Sequence, residues 1–351
     1  MVSNLYTLTW LTLAFLRAAI YFRWQAVHDL RLPPSIVLDS KAMRRLQHYF
    51  YGTTFLSIVF GLLHRRRRTS REKYLFSNLA ALSYYFDDLA DAYRREDNGD
   101  HPWLDNPEDY GRRADPNGLA LHLLDNLYRN LPPQNLDAFK RYLHRVFNVE
   151  TANRPPADSR QPTTDNRRPT ADNPQPTADY RLPTTDSRQP IADGLWRVTR
   201  EKGGASVLLF RRILDAPLYP GEEDALYAFG GLVQLCDDVT DLWFDHRDGT
   251  QTVPLHYAVR HDVAGMRAAF EGEVARVQNL FVQIKQAPGV HSAWSAACIL
   301  VGIARVCIDH YAKIQQKSGT LPLHDRALMV VDMERWGNRL RLVRRLLTDL
   351  P

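Results

Sequence analysis

Seven aspartates stand where aspartate is a poor choice. The stretch "YYFDDLADAYRRED" (84–97) sets Asp87, Asp88 and Asp91 inside an apolar-periodic run. The stretch "QLCDDVTDLWFD" (234–245) repeats the DDxxD spacing with Asp237, Asp238 and Asp241, and adds Asp245. Aspartate competes for backbone hydrogen bonds and is disfavoured in a helix interior. Helix capping does not account for the first motif, because Leu75, Phe76, Leu79 and Leu82 precede it and Ala92 and Tyr93 follow. At about 100° per residue, Asp87 and Asp91 stack and Asp88 flanks them, while on a continuous helix the four later aspartates share about 100° of arc. Like charges at that spacing destabilise a helix, so a cation is needed to offset them. Carboxylates with no Cys or His at ligand spacing suit a hard divalent ion, Mg²⁺ above all. A solvated acidic face is the competing reading for one such motif; two, both set in apolar helices, favour metal.

Cations accompany the acids. Arg94 and Arg95 follow the first motif, and "WRVTREKGGASVLLF" (196–210) offers Arg197, Arg200 and Lys202 ahead of Gly203 and Gly204. Guanidinium and ammonium groups suit phosphate oxygens, and a glycine pair lets backbone approach a ligand closely. A solvated basic turn is the alternative for this stretch alone. Together, two acidic walls and a basic rim suit a diphosphate whose departure is assisted by metal and cations.

The elements that must position these groups read as helices: 4–26, 40–64, 71–96, 117–149, 195–214, 222–246, 261–286, 290–317 and 323–348. Leu121, Leu124, Leu127 and Tyr128 show the three-to-four spacing, as do Leu340, Val343, Leu346 and Leu347. Breaks fall at "LPPS", "LPPQ", "YPGEED" and "SGTLP". No alternating strand pattern competes. The fold expected is an all-α bundle in two halves, 1–153 and 194–351. Between them, prolines recur every seventh residue from Pro155 to Pro190 and aspartates from Asp158 to Asp193. A proline in every unit excludes a coiled coil, and so little apolar surface cannot offset ordering. Residues 154–193 therefore read as a disordered low-complexity insertion within one domain.

Composition bounds the rest. Hydrophobic residues make up 44% and charged residues 24%, enough for a large core and against overall disorder. The net charge of +5 is too mild to argue for nucleic acid. Cys236, Cys298 and Cys307 form no CxxC pair, which fits a reducing cytoplasm. The apolar N-terminus is interrupted by Arg17, and the run 49–63 is shorter than the roughly 20 residues a span needs. Core helices are the expectation, with peripheral membrane contact kept open by "HRRRR" (64–68).

These residues resemble the class I isoprenoid synthases, the all-α family of trans-prenyltransferases, squalene/phytoene synthases and class I terpene cyclases. The resemblance rests on "DDLAD", "REKGG" and "FGGLVQLCDDVTDLWFDHRDGTQTVP", the last similar to the family's G-x-x-x-Q-x-x-(D/N)D-x-x-D block followed by a T-x-P segment. It implies a helical bundle around a central cavity, formed by about residues 1–150 and 195–351. It implies three Mg²⁺ ions, held by Asp87, Asp88 and Asp91 on one wall and by Asp237, Asp241 and Asp245, with Asp238, on the other. Arg94, Arg95, Arg200 and Lys202 would meet the diphosphate. Tyr84, Tyr85, Phe86, Phe229, Tyr311 and Trp336 are candidates to line the pocket, where aromatic faces can stabilise a passing cation; ordinary core is the alternative for each at helical spacing. His310–Tyr311 stands where cyclases often carry Arg-Tyr. The expected substrate is a prenyl diphosphate, and a homodimer is compatible with the family.

The departures from the family pattern are informative. No GGKR-like motif for a second diphosphate is present, and Thr250 replaces a lysine ahead of the T-x-P segment. Cyclisation or head-to-head coupling is thereby favoured over chain elongation. Outside the family, an all-α nucleotide pyrophosphohydrolase or a non-catalytic scaffold are the alternatives; the former would carry Glu-rich EExxE clusters.

Overall fold

The structure, a computed structural model, describes residues 20–22, 30, 40–93, 102–109, 116–152, 188–333 and 335–349, with backbone alone at 41, 87–93, 116–117, 152, 188–191 and 347–349. Among these all regular structure is helical. The long helices are α1 (Ser40–Leu63), α2 (Ser70–Tyr93), α4 (Pro116–Asn130), α5 (Leu136–Ala152), α6 (Arg188–Arg211), α7 (Glu222–Thr240), α10 (Val263–Val282), α11 (Val290–Ser318) and α13 (Trp336–Asp349). Short helices α3 (Pro102–Asp105), α8 (Leu242–Asp248), α9 (Val253–Ala258) and α12 (Arg326–Met329) occupy the connections.

Four helices differ from the sequence reading, each for a local reason. The expected 117–149 helix divides because Pro132 and Pro133 supply no N–H. Asn135 in that break donates to the carbonyls of Arg212 (2.9 Å) and Leu214 (3.0 Å), just past the C-terminus of α6. The expected 222–246 helix breaks at Asp241, and 323–348 resolves into α12 and α13. Helix α6 begins at Arg188 rather than 195, taking in the last repeat unit with Pro190 in its first turn, where proline is tolerated. The rest of the repeat, 154–187, lies outside the described residues, as does the 4–26 helix apart from 20–22, where Phe22 packs on Phe50 at 5.1 Å.

Packing closes a circuit. Helix α1 packs on α2, α2 on α5, α5 on α6, α6 on α7, α7 on α11, and α11 back on α1. Helix α4 backs α2, α10 backs both α7 and α11, and α13 lies on α11. Phe60, Leu63, Leu75 and Phe76 are fully buried where α1 meets α2, each worth about 1.5–3 kcal/mol relative to exposure. The apolar run 49–63 forms the second half of α1, with every residue from Thr53 to Phe60 buried. Helix α11 is long and apolar enough to cross a bilayer; here it packs among α1, α7, α10 and α13 as a bundle helix.

One end of the circuit is fixed by buried charge. His64 follows α1, Glu72 opens α2, Arg211 ends α6 and Glu222 opens α7. Arg211 donates to Glu222 at 2.5 Å and to the carbonyls of Ala216 (3.2 Å) and Pro217 (3.0 Å). The His64 ring nitrogen lies 3.0 Å from Glu222. Glu72 pairs with Arg66 and accepts the backbone N–H of Asp215 at 3.2 Å. Within "HRRRR", which reads as a lipid contact or a solvated turn, His64 and Arg66 belong to this layer, while Arg65 and Arg67 are exposed.

Candidate functional site

Helices α2 and α7 both start at the ionic layer and run away from it. Asp87 is fifteen residues past Glu72, and Asp237 is fifteen past Glu222. At 1.5 Å per residue both motifs stand about 22 Å from the same layer. The two helices are not packing neighbours in the circuit. The first aspartate motif is helical through Tyr93; the side chains of Asp87, Asp88 and Asp91 lie outside the described residues, as do Arg94 and Arg95.

The second motif is described in full. Asp237 is exposed to water, yet protein crowds it and desolvation raises its carboxyl pKa. Asp238 is buried, accepts the Gln234 side-chain N–H at 2.7 Å, and is raised to about 7 by burial. Burial, then the charge of Asp237, raises Asp241 to about 6. Asp245 reaches about 7, again through burial first, with Asp241 and Asp237 adding to it. Among the described residues none of the four makes an ion pair, so their repulsion stands largely uncompensated.

The break at Asp241 aims the motif. Its φ of −96° and ψ of 12° end α7, while its N–H still reaches the Asp237 carbonyl (2.9 Å) and its own carbonyl takes the Asp245 N–H (2.9 Å). Past α8, Gly249 adopts φ 70°, a left-handed turn that glycine enters without strain. The reversal returns Thr252 to the motif. Its hydroxyl donates to Asp245 at 3.1 Å and, as the cap of α9, accepts from the Leu255 N–H. Behind the break, the fully buried Tyr311 donates to the Val239 carbonyl at 3.0 Å.

Lys202 reaches this motif because α6 and α7 touch backbone to backbone. A Cβ built on Gly203 would lie 2.0 Å from the Gly230 carbonyl oxygen, and one on Gly230 would lie 2.1 Å from that of Gly203. The glycine pair expected to approach a ligand therefore serves a helix crossing. From there Lys202 favours the ionised forms of Asp237, Asp238 and Asp245, and pairs with Glu150 of α5 at 2.7 Å. Arg200 is engaged elsewhere: it stacks over Trp196 at 4.9 Å and shares buried Glu273 with Arg276.

The aromatic expectations divide. Phe229 is fully buried, edge-on to Phe281 at 5.7 Å, and is core rather than pocket wall. Trp336 is 76% exposed on α13. Tyr311 supports the end of α7 from behind. Tyr84 is half-buried one turn before Asp88, its ring 4.5 Å from that of Tyr85. His310 contacts the Leu328 carbonyl at 2.7 Å. Thr252 and Gln234 stood within the quoted motif but without assigned partners, and Glu150 carried no signal at all.

The donor set of the second motif is oxygen only and unneutralised, which fits Mg²⁺ in kind. Among the described residues no three His, Cys, Asp or Glu side chains converge at metal-ligand distance. Comparison with protein-family models, with curated proteins and with solved structures gives no match to the chain.

Proposed function

We propose that this chain is a Mg²⁺-dependent class I isoprenoid synthase that ionises a prenyl diphosphate and releases diphosphate, by cyclisation or head-to-head coupling rather than elongation. The observation that carries the reading is the matched height of two aspartate motifs on separate helices of one circuit, with Lys202 beside the second. Asp87, Asp88 and Asp91 on α2, and Asp237, Asp241 and Asp245 on α7 and α8, would hold the metal, with Asp238 behind them. Bound there, Mg²⁺ supplies the positive charge that makes diphosphate a competent leaving group.

The chain's own residues do the rest. Thr252 holds Asp245 in place and the Asp241 bend sets its direction. Lys202, fixed by the glycine crossing and by Glu150, adds a cation at the rim. With substrate bound, the apolar helices around the two motifs would exclude water that quenches an allylic cation, and the Tyr84 ring, one turn before Asp88, would offer it a stabilising face.

The purified chain, incubated with Mg²⁺ and prenyl diphosphates of several lengths, is expected to release diphosphate and yield hydrocarbon detectable by mass spectrometry. Asp87→Asn and Asp237→Asn should each lower turnover by roughly 100-fold or more. No turnover by the wild type, or unchanged turnover in both variants, would sink the reading.

A further inference from the structure

The C-terminal helix α13 carries two apolar faces. One is used: Leu346 is buried, and it and Leu342 close over Gly302 of α11, where a Cβ would meet them at 3.3 and 2.9 Å. The other is open. Trp336, Leu340 and Val343, spaced four and three residues apart on one stripe, are 76%, 63% and 38% exposed. The other exposed large apolar side chains among the described residues, Ile20, Tyr49, Val282 and Leu328, stand singly on separate elements.

The helix itself is strongly basic. Arg339, Arg341 and Arg344 are exposed and its one acidic residue, Asp349, stands at its end, while Arg335, just ahead of it, pairs with Asp332 at 3.5 Å. Arg339 donates to the Met333 carbonyl at 3.3 Å and lies 6.0 Å from the Trp336 ring. Arg341 donates to the Asn338 side-chain oxygen at 3.3 Å. Among the described residues neither meets a carboxylate. Arg345 turns inward, to Asp309 at 2.5 Å.

A basic helix with Trp and Leu on one side has the composition of a helix lying in the plane of a membrane surface. Its fourteen residues extend only about 21 Å, too short for a hydrocarbon core of roughly 30 Å. A second copy fits poorly, because a two-fold contact sets the same face on itself and would bring the arginines together. Lipid phosphates complement them instead. We propose that α13 docks the protein on an anionic lipid surface, with Trp336, Leu340 and Val343 at the acyl boundary and Arg339 and Arg341 over headgroup phosphates. The inference is independent of the aspartate motifs.

The test is co-sedimentation of the full chain with vesicles of phosphatidylcholine alone or mixed with phosphatidylglycerol. Binding to the mixed vesicles is expected, with little to the neutral ones and release at high salt. Arg339→Gln with Arg341→Gln should weaken it about 25-fold, about fivefold for each arginine. Leu340→Glu should abolish it while circular dichroism and melting temperature hold, since that side chain is exposed. Failure to bind mixed vesicles overturns the proposal. So does binding unchanged in both variants, which would move the contact elsewhere, for example to Arg65 and Arg67. A wild-type dimer that Leu340→Glu splits, seen by light scattering, would assign the face to a second copy and equally overturn it.

Discussion

Glu222→Gln is expected to lower the free energy of unfolding by about 3–5 kcal/mol, because it leaves the Arg211 guanidinium buried without its carboxylate. Both side chains are at most 1% exposed, so water cannot replace the lost partner. The carbonyls of Ala216 and Pro217 remain, but they carry no net charge. Against a typical total stability of about 5–15 kcal/mol, the loss is about a fifth or more. Urea unfolding monitored by circular dichroism measures it. A loss under about 1 kcal/mol would mean that the pair is hydrated or dispensable. Replacing Arg211 and Glu222 together by apolar residues of similar size should recover much of the loss, since desolvation of both charges is then removed.

The same residue sets an acid limit. Burial alone would raise the Glu222 carboxyl, but the His64 hydrogen bond and the Arg211 charge and hydrogen bond hold it below its ordinary 4.5. A carboxyl lowered by folding contributes stability that is complete above its unfolded value and lost as pH falls through the folded one. Glu72, held down by Arg66, acts in the same direction. Wild-type stability should therefore fall as pH drops below 4.5, and Glu222→Gln should flatten that slope.

Gly230→Ala is expected to destabilise despite alanine's better helix propensity. Propensity favours alanine by about 0.8–1 kcal/mol. The new methyl would meet the Gly203 carbonyl carbon at 2.5 Å and its oxygen at 2.1 Å, and backbone cannot rotate away as a side chain can. Overpacking of this kind costs about 1–3 kcal/mol, occasionally more, so the clash outweighs the propensity. The helices must separate, carrying Lys202 away from Asp237, and the proposed diphosphate release should fall further than stability explains. Gly272→Ala is the control. It lies exposed on α10 with nothing within 4 Å of a built Cβ, so it should gain about 0.5–1 kcal/mol. If both substitutions stabilise, α6 and α7 do not cross at these glycines.

The helical class was legible because three-to-four apolar periodicity recurs through most of the chain, and Pro132–Pro133 announced a break that periodicity alone ran through. The aspartate motifs were legible as chemistry because they sit where aspartate serves helices badly. Other features were not. No local signal says that Gly203 faces Gly230 rather than a ligand, since both uses need the same missing Cβ. Phe229 and Trp336 carry equal apolar promise in sequence, yet one is core and the other is surface. Arg200 and Lys202 are two residues apart, and their partners, Glu273 and Glu150, come from different helices.

By itself the sequence determined the residue types, the helix periods and the equal spacings, fifteen residues from Glu72 to Asp87 and from Glu222 to Asp237. Those are properties of a single chain segment, written in its own order. Only the tertiary structure decided that both spacings start from one buried ionic layer, that a bend at Asp241 and a turn at Gly249 bring Thr252 onto Asp245, and that α13 keeps one apolar face in water. Each of these depends on which surfaces meet across tens to more than a hundred residues of chain, or on how the backbone reverses. Burial and charge pairing of that kind exist only after packing.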